Sequence, residues 1–313
     1  MAARLILNAD DFGLTLGINR AIRELHQAGV LTSATLMASA AVPNQDRAFD
    51  DAVAIAHANP KLGVGCHIVL TDGIPVSNPD SIPTLLGPDG KHFRASLGEF
   101  VLALLRGRIK ESEIEHEALA QVRKLQRAGI DITHLDTHKH THFFPAVARP
   151  LLRIAESTSI GAIRNPFEPR WCRNLGRGKF TRRLQLALLD GLKSQFDAHR
   201  QIRNGYVLTT EGTVGVSATG QLNAEALHKI LEDAPDGLWE LVCHPGFNDA
   251  DLAAIPTRLR GQREMEREAL LSVVPQFVAQ PEPLELIHYG NLGAFGLKRE
   301  LGIHTPDTGY DHA

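Results

Sequence analysis

The chain is poor in cysteine and has no block of basic residues, and each scarcity removes a class of protein. Its three cysteines, Cys66, Cys172 and Cys243, are odd in number and far apart. With no Cys-x-x-Cys spacing to suggest a zinc ribbon or a redox pair, they are expected to be reduced core thiols. The formal net charge is −3 and no run of Lys or Arg is long enough to track phosphates, so nucleic acid is not an expected partner. No Gly-x-Gly-x-x-Gly follows the first apolar run, which argues against a dinucleotide. Only Leu5, Ile6 and Leu7 supply strong apolarity before acidic residues arrive. Neither a signal peptide nor a transmembrane segment is therefore expected, and the expected compartment is the cytoplasm.

With 313 residues, 43% of them hydrophobic, the chain can bury the core of one large barrel or of two smaller domains. Helix-period stretches alternate with short apolar runs. Ile18, Ala21, Ile22 and Leu25 are spaced as one helix face, Gly29 stops that helix, and Ser33 to Met37 follows as a strand. The pattern recurs: helix 47–58 before Leu62 to Ile68, helix 112–128 before Ile132 to Leu135, and helix 146–156 before Ala162-Ile163-Arg164. Helix 224–231 then precedes Leu238 to Val242, and helix 258–273 precedes Leu284 to Ile287. Such alternation predicts parallel strands joined by crossover helices, and its repetition favours one TIM-barrel-like α/β domain over residues 1–313, with an open doubly wound sheet as the alternative.

Chemistry concentrates in Thr133-His134-Leu135-Asp136-Thr137-His138-Lys139-His140-Thr141-His142, four imidazoles and a carboxylate in ten residues. Imidazole is the commonest side-chain metal ligand, so a divalent ion is expected. Asp10 and Asp11 follow the first apolar run, and neighbouring carboxylates repel unless a cation or base lies near; a turn or helix cap is their other reading. Asp10, Asp11, His67, Asp136, His138, Arg164, His244 and His288 all fall at the ends of predicted strands. In a β/α barrel those ends meet on one face, where active sites are built. The Pro- and Gly-rich stretch Thr71 to Ser96 would be a long loop on that face, read as a substrate-covering lid.

Four blocks, Asn8-Ala9-Asp10-Asp11-Phe12-Gly13, Gly65-Cys66-His67-Ile68-Val69-Leu70-Thr71, His134 to His142, and Cys243-His244-Pro245-Gly246, resemble in sequence and in order the signatures of the YdjC/ChbG carbohydrate deacetylase family. The resemblance runs to about residue 275. It implies a distorted (β/α) barrel and a metal-dependent amidohydrolase that removes acetyl groups from N-acetylated sugars. By the same match Asp11, His67 and His138 would bind the metal and Asp10 would be the catalytic carboxylate.

Amide hydrolysis needs an activated water, a polarised carbonyl and a protonated leaving amine. A carboxylate with two imidazoles suits zinc or magnesium, with cobalt, nickel or manganese also fitting, and keeps positions open for water and the acetyl oxygen. Asp10 could take the water's proton, and Arg164 could orient Asp10 through a two-pronged contact, an ordinary ion pair being its alternative. His244, brought near the first strand by ring closure and expected opposite Asp10, could protonate the amine; a turn cap is its other reading. His140 or His142 could replace one imidazole ligand, and His134 and Asp136 could orient ligands. Asn165 to Trp171 reads as an aromatic loop for a sugar or as a packed loop, and His288-Tyr289-Gly290 as pocket lining. The expected substrate is an N-acetylglucosamine-containing oligosaccharide or glycoconjugate, a glycosylated hopanoid lipid among them. A barrel metal phosphoesterase or glycosidase, or a silent metal- or sugar-binding protein, are the alternatives. A phosphoesterase would call for a Gly-rich loop or basic cluster, and neither is found. A homodimer is expected only from the prevalence of two-fold assemblies.

Overall fold

In β1 (Arg4–Phe12), Leu5, Leu7 and Ala9 belong to the main hydrophobic core, while Ile6 packs with Ala162, Ile287, Tyr289 and Leu292 in a second, small cluster. Successive strand residues face opposite sides of a sheet, so the first set meets the helices and Ile6, Asn8 and Asp10 look inward. These features come from a computed structural model, which describes residues 3–39, 46–173, 189–255 and 257–293. The end of the expected domain, residues 294–313, lies outside the described residues.

The sheet is completed by β2 (Ser33–Leu36), β3 (Gly63–Ile68), β4 (Ile132–Thr137), β5 (Gly212–Val214), β6 (Leu238–Cys243) and β7 (Glu285–Leu286). All pairings are parallel, in the order β4-β3-β2-β1-β6-β5, with β7 beside the opening residues of β1. The extended segment 162–167 joins the two edges. The Arg164 amide donates to Leu135 O (2.9 Å), that of Ile163 to Leu208 O (2.9 Å) and that of Thr213 to Phe167 O (3.2 Å). The curled sheet and its helices form the β/α barrel that the alternation favoured, distorted as the family resemblance implied.

The longer helices are α1 (Leu16–Gln27), α2 (Asp46–Ala58), α3 (Leu97–Leu105), α4 (Glu111–Arg127), α5 (Pro145–Ser157), α6 (Ala224–Glu232) and α7 (Gly261–Val278). In α1 the Thr15 hydroxyl caps the Ile18 amide at 3.2 Å, the stripe Ile18, Ala21, Ile22 and Leu25 is buried, and Gly29 takes a left-handed φ of 72°. The sequence pattern did not reveal β5 or α3, and α7 runs to Val278 instead of ending at Val273. Gly212 opens β5 because a Cβ there would meet Phe167 O at 2.7 Å, so close backbone contact takes the place of a hydrophobic pattern.

The stretch from Val69 to Ser96 is tied down by one face of α4. Gln121 bonds both backbone groups of Val69 (2.9 and 2.7 Å), Glu117 accepts from the Val76 and Ser77 amides (each 2.9 Å), and Glu113 accepts from Thr84 (2.6 and 2.7 Å). These three side chains are buried at i, i+4 and i+8, and Ile82, Leu85 and Phe93 are buried above them. The stretch read as a substrate-covering lid is thus a packed layer anchored on α4. Cys66, Cys172 and Cys243 are free and buried. Among the described residues no helix is long and apolar enough to cross a membrane.

Candidate active site

Adjacent strand residues should point to opposite faces, yet Asp10 and Asp11 both reach the barrel's open end. The β1–β2 register breaks between Ala9 and Phe12, and Asp11 has a left-handed φ of 66°, a region that aspartate tolerates better than most residues. The bulge turns two consecutive carboxylates into one site. Both are buried, each 3% exposed.

Asp10 belongs to an inner cluster centred on Arg164, which is fully buried. Arg164 Nη2 donates to Asp10 Oδ1 at 2.7 Å and Nη1 to Oδ2 at 3.0 Å. Nε reaches Glu240 Oε1 at 2.8 Å, and Nη1 lies 2.6 Å from Asp136 Oδ2. Tyr289 and Thr213 hydroxyls donate to Glu240 Oε2, and the Thr35 hydroxyl lies 3.3 Å from both Asp10 and Asp136. Burial alone would raise the Asp10 pKa, but the charge of Arg164 overcomes it and holds the carboxyl well below the usual range. Burial likewise pushes Glu240 up.

Asp11 faces a different group. Its Oδ1 lies 3.8 Å from His67 Nε2 and 3.5 Å from His138 Nδ1, and those nitrogens are 3.4 Å apart. A point equidistant from three atoms so spaced is about 2.1 Å from each, the length of a zinc bond to nitrogen or carboxylate oxygen. The donor set therefore fits a divalent ion. His67 Nδ1 is paired with Asp136 Oδ1 at 2.8 Å, the carboxylate–imidazole contact that orients a ligand and leaves Nε2 for a metal. A second candidate set, Asp10, His67 and Asp136, fits less well because both its carboxylates already serve Arg164. Burial opposes a charge on His67, but Asp136 and then Asp10 and Asp11 reverse that and raise its pKa to about 9, whereas burial lowers His138.

His244 follows β6, with Nε2 3.8 Å from Asp10 Oδ2 and Nδ1 3.9 Å from Glu266 Oε2. It stands beside Asp10, not opposite it. Sequence reasoning missed Glu266, which also accepts the His244 amide at 2.6 Å, and Arg263, whose Nη2 donates to Asp11 Oδ2 at 2.6 Å. They lie three apart on α7, on one face, in no sequence motif and away from the strand ends that carry the other site residues. Thr35, mid-β2, was missed for the same reason.

The other histidines lie elsewhere. After His138 the chain turns through left-handed Lys139 and His140 (φ 57° and 53°), which carries the next imidazoles off the triangle. His142 Nδ1 lies 2.6 Å from the Thr137 hydroxyl, and burial lowers its pKa to about 3. His134 stacks on Tyr289 (centroids 3.8 Å apart) in space that a Cβ at Gly65 would fill, 2.5 Å from the ring. His288 packs against Gly63, the first residue of β3, away from the cluster, and its Nδ1 accepts the Gly290 amide at 3.1 Å. In the loop Asn165 to Trp171, Phe167 is buried against Phe143 and Phe196, and Trp171 meets Trp239 edge-on.

A distorted β/α barrel carrying a Asp-His-His triangle and a guanidinium-held carboxylate at its strand ends defines the class. Residues 4–279 match the family described as YdjC-like protein, and the chain belongs to that family. A carbohydrate deacetylase of Brevibacillus brevis is 31% identical over 93% of this chain and 100% of its own length. One of Geobacillus stearothermophilus is 40% identical over 48% of this chain and 55% of its own. A crystallised Enterococcus faecalis protein, described as a cellobiose-phosphate cleavage protein, shares the fold with a TM-score of 0.70 at 22% identity, covering 93% of this chain and 99% of that one.

Proposed function

We propose that the chain is a metal-dependent carbohydrate deacetylase that hydrolyses the acetamide of an N-acetylated sugar, working as one domain in the cytoplasm. The observation that carries this reading is the triangle of Asp11 Oδ1, His67 Nε2 and His138 Nδ1 beside an arginine-held carboxylate. The carbohydrate deacetylases among its relatives supply the substrate class.

Asp11, His67 and His138 would hold the ion. When bound, a divalent ion polarises the acetyl carbonyl and acidifies the attacking water, which lets a carboxylate as weakly basic as Asp10 accept the proton. Arg164 keeps Asp10 ionised and fixes its orientation through two hydrogen bonds. His244 Nε2, 3.8 Å from Asp10 Oδ2, would donate the proton to the leaving amine. Its closeness to Asp10 also provides a short path for returning that proton to the imidazole. Glu266 accepts the His244 backbone N–H, which holds the main chain that carries the imidazole. N-acetylglucosamine oligosaccharides and conjugates, a glycosylated hopanoid included, are the substrates to try.

The test is acetate release from diacetylchitobiose and from N-acetylglucosamine conjugates by protein as purified, after chelation, and after zinc is restored. Release lost on chelation and regained with zinc supports the reading. Metal-loaded protein that frees no acetate from any of them overturns the deacetylase assignment, and release unaffected by complete metal removal overturns the metal.

A further inference from the structure

We infer that Arg263 is a positioning residue for Asp11 that restricts it to ligation through a single oxygen; the inference rests on the metal triangle proposed above. Arg263 lies in the first turn of α7, is 1% exposed, and lies outside the four blocks that carry the family resemblance. Its Nη2 holds Asp11 Oδ2 at 2.6 Å, and its Nε donates to Leu259 O at 3.3 Å, which fixes the guanidinium plane. The Arg263 carbonyl accepts the Gly246 amide at 3.2 Å, and a Cβ at Gly246 would stand 3.1 Å from Arg263 Cδ. The glycine two residues beyond His244 therefore makes room for the arginine stem.

Asp11 needs such a partner. It occupies a bulge where ladder hydrogen bonds do not hold the backbone in register, and a free carboxylate there can rotate, chelate through both oxygens or turn to one imidazole. With Oδ2 taken, Oδ1 alone remains for the ion, facing both His67 Nε2 and His138 Nδ1. The arginine charge acts in the opposite sense, since a guanidinium beside a cation weakens binding by Coulomb repulsion. Positioning and charge thus predict opposite signs for the same substitution, which makes the role measurable.

The experiment is zinc affinity of the full chain, by competition with a chromophoric chelator, for wild type, Arg263→Met and Arg263→Lys. Partners that orient metal ligands are typically worth ten- to a hundredfold in affinity, so Arg263→Met is expected to bind zinc weaker by about that factor and Arg263→Lys by less. Cobalt in Arg263→Lys provides a second reading if the methionine variant folds poorly. Its visible bands should weaken as Asp11 gains a second bound oxygen and the coordination number rises. Unchanged or tighter zinc binding by Arg263→Met, or an unchanged cobalt spectrum in Arg263→Lys, overturns the role of Arg263. Wild-type protein that takes up no zinc fails differently, because it removes the triangle itself and this inference with it.

Discussion

Two clusters built from the same residue types lie side by side at the mouth of this barrel, and they reach opposite electrostatic ends. Around Arg164 three carboxylates, Asp10, Asp136 and Glu240, share one guanidinium, and Thr35, Thr213 and Tyr289 hydroxyls add further hydrogen bonds. Around Asp11, His67 and His138 three lone-pair atoms converge with separations of 3.4–3.8 Å. The first cluster carries its own cation. The second meets a guanidinium at the far oxygen of Asp11, where Arg263 binds, and the Asp136 carboxylate at His67 Nδ1, and the surrounding carboxylates raise the His67 pKa to about 9. Asp10 thus has both oxygens held by a guanidinium, whereas Asp11 has one held and the other left facing two imidazoles.

The largest effect expected from breaking that contrast is at Arg164. Arg164→Met leaves three buried carboxylates without their cation, and removing one side of a buried ion pair costs about 3–5 kcal/mol. The melting temperature should fall by on the order of ten degrees; an unchanged melting curve would mean that the inner cluster does not depend on its arginine. Asp10→Asn keeps the shape of that cluster and removes the base, so deacetylation should drop by about a hundredfold or more with zinc content unchanged. Loss of zinc in this variant would move Asp10 into the outer cluster.

His244→Ala sharpens the comparison at the seam between the clusters. Amides need a protonated leaving group and aryl acetates do not, so acetate release from N-acetyl sugars should fall by about tenfold or more beyond any loss on an aryl acetate. Equal losses on both substrates would assign His244 a structural or oxyanion-stabilising role.

The mildest perturbation changes no residue and acts through the pH dependence of the outer cluster. His67 is raised above its ordinary value, so in chelator-stripped protein its favourable pairing is fully present below about pH 6.5 and is lost as pH rises through about 9. A bound ion must displace that proton, and zinc affinity should therefore climb by up to about tenfold per pH unit from neutrality and level off above pH 9. Zinc titrations at pH 7, 8 and 9.5 check this. Affinity independent of pH would show that His67 is already neutral and that Asp136 does not govern it.

Much of this was legible in the chain. The alternation of helix-period stretches with short apolar runs was enough for parallel strands and crossover helices, because each pattern answers to a local constraint of period and burial. Asp10, Asp11, His67, His138, Arg164 and His244 were legible together, since a barrel brings strand ends to one face whatever their separation in sequence. His288 shows the limit of that rule: β7 is two residues long and pairs with Arg4 and Leu5 at the opening of β1, so His288, two residues beyond it, stays near the strand starts. Gly212 to Val214 and Leu97 to Leu105 carried too little pattern to be read.

By itself, then, the sequence determined the architecture and the roster of reactive groups, because hydrophobic period and motif order are properties of neighbouring residues. Tertiary structure decided how those groups are brought together. The left-handed Asp11 turns two adjacent acids into one site, left-handed Lys139 and His140 separate His138 from His140 and His142, and α7 brings Arg263 to Asp11, 252 positions away in sequence, and Glu266 to His244, 22 positions away. Those outcomes depend on backbone bulges and on contacts across the barrel, where the energy of a buried charge is set by whatever the fold places within a few ångströms of it.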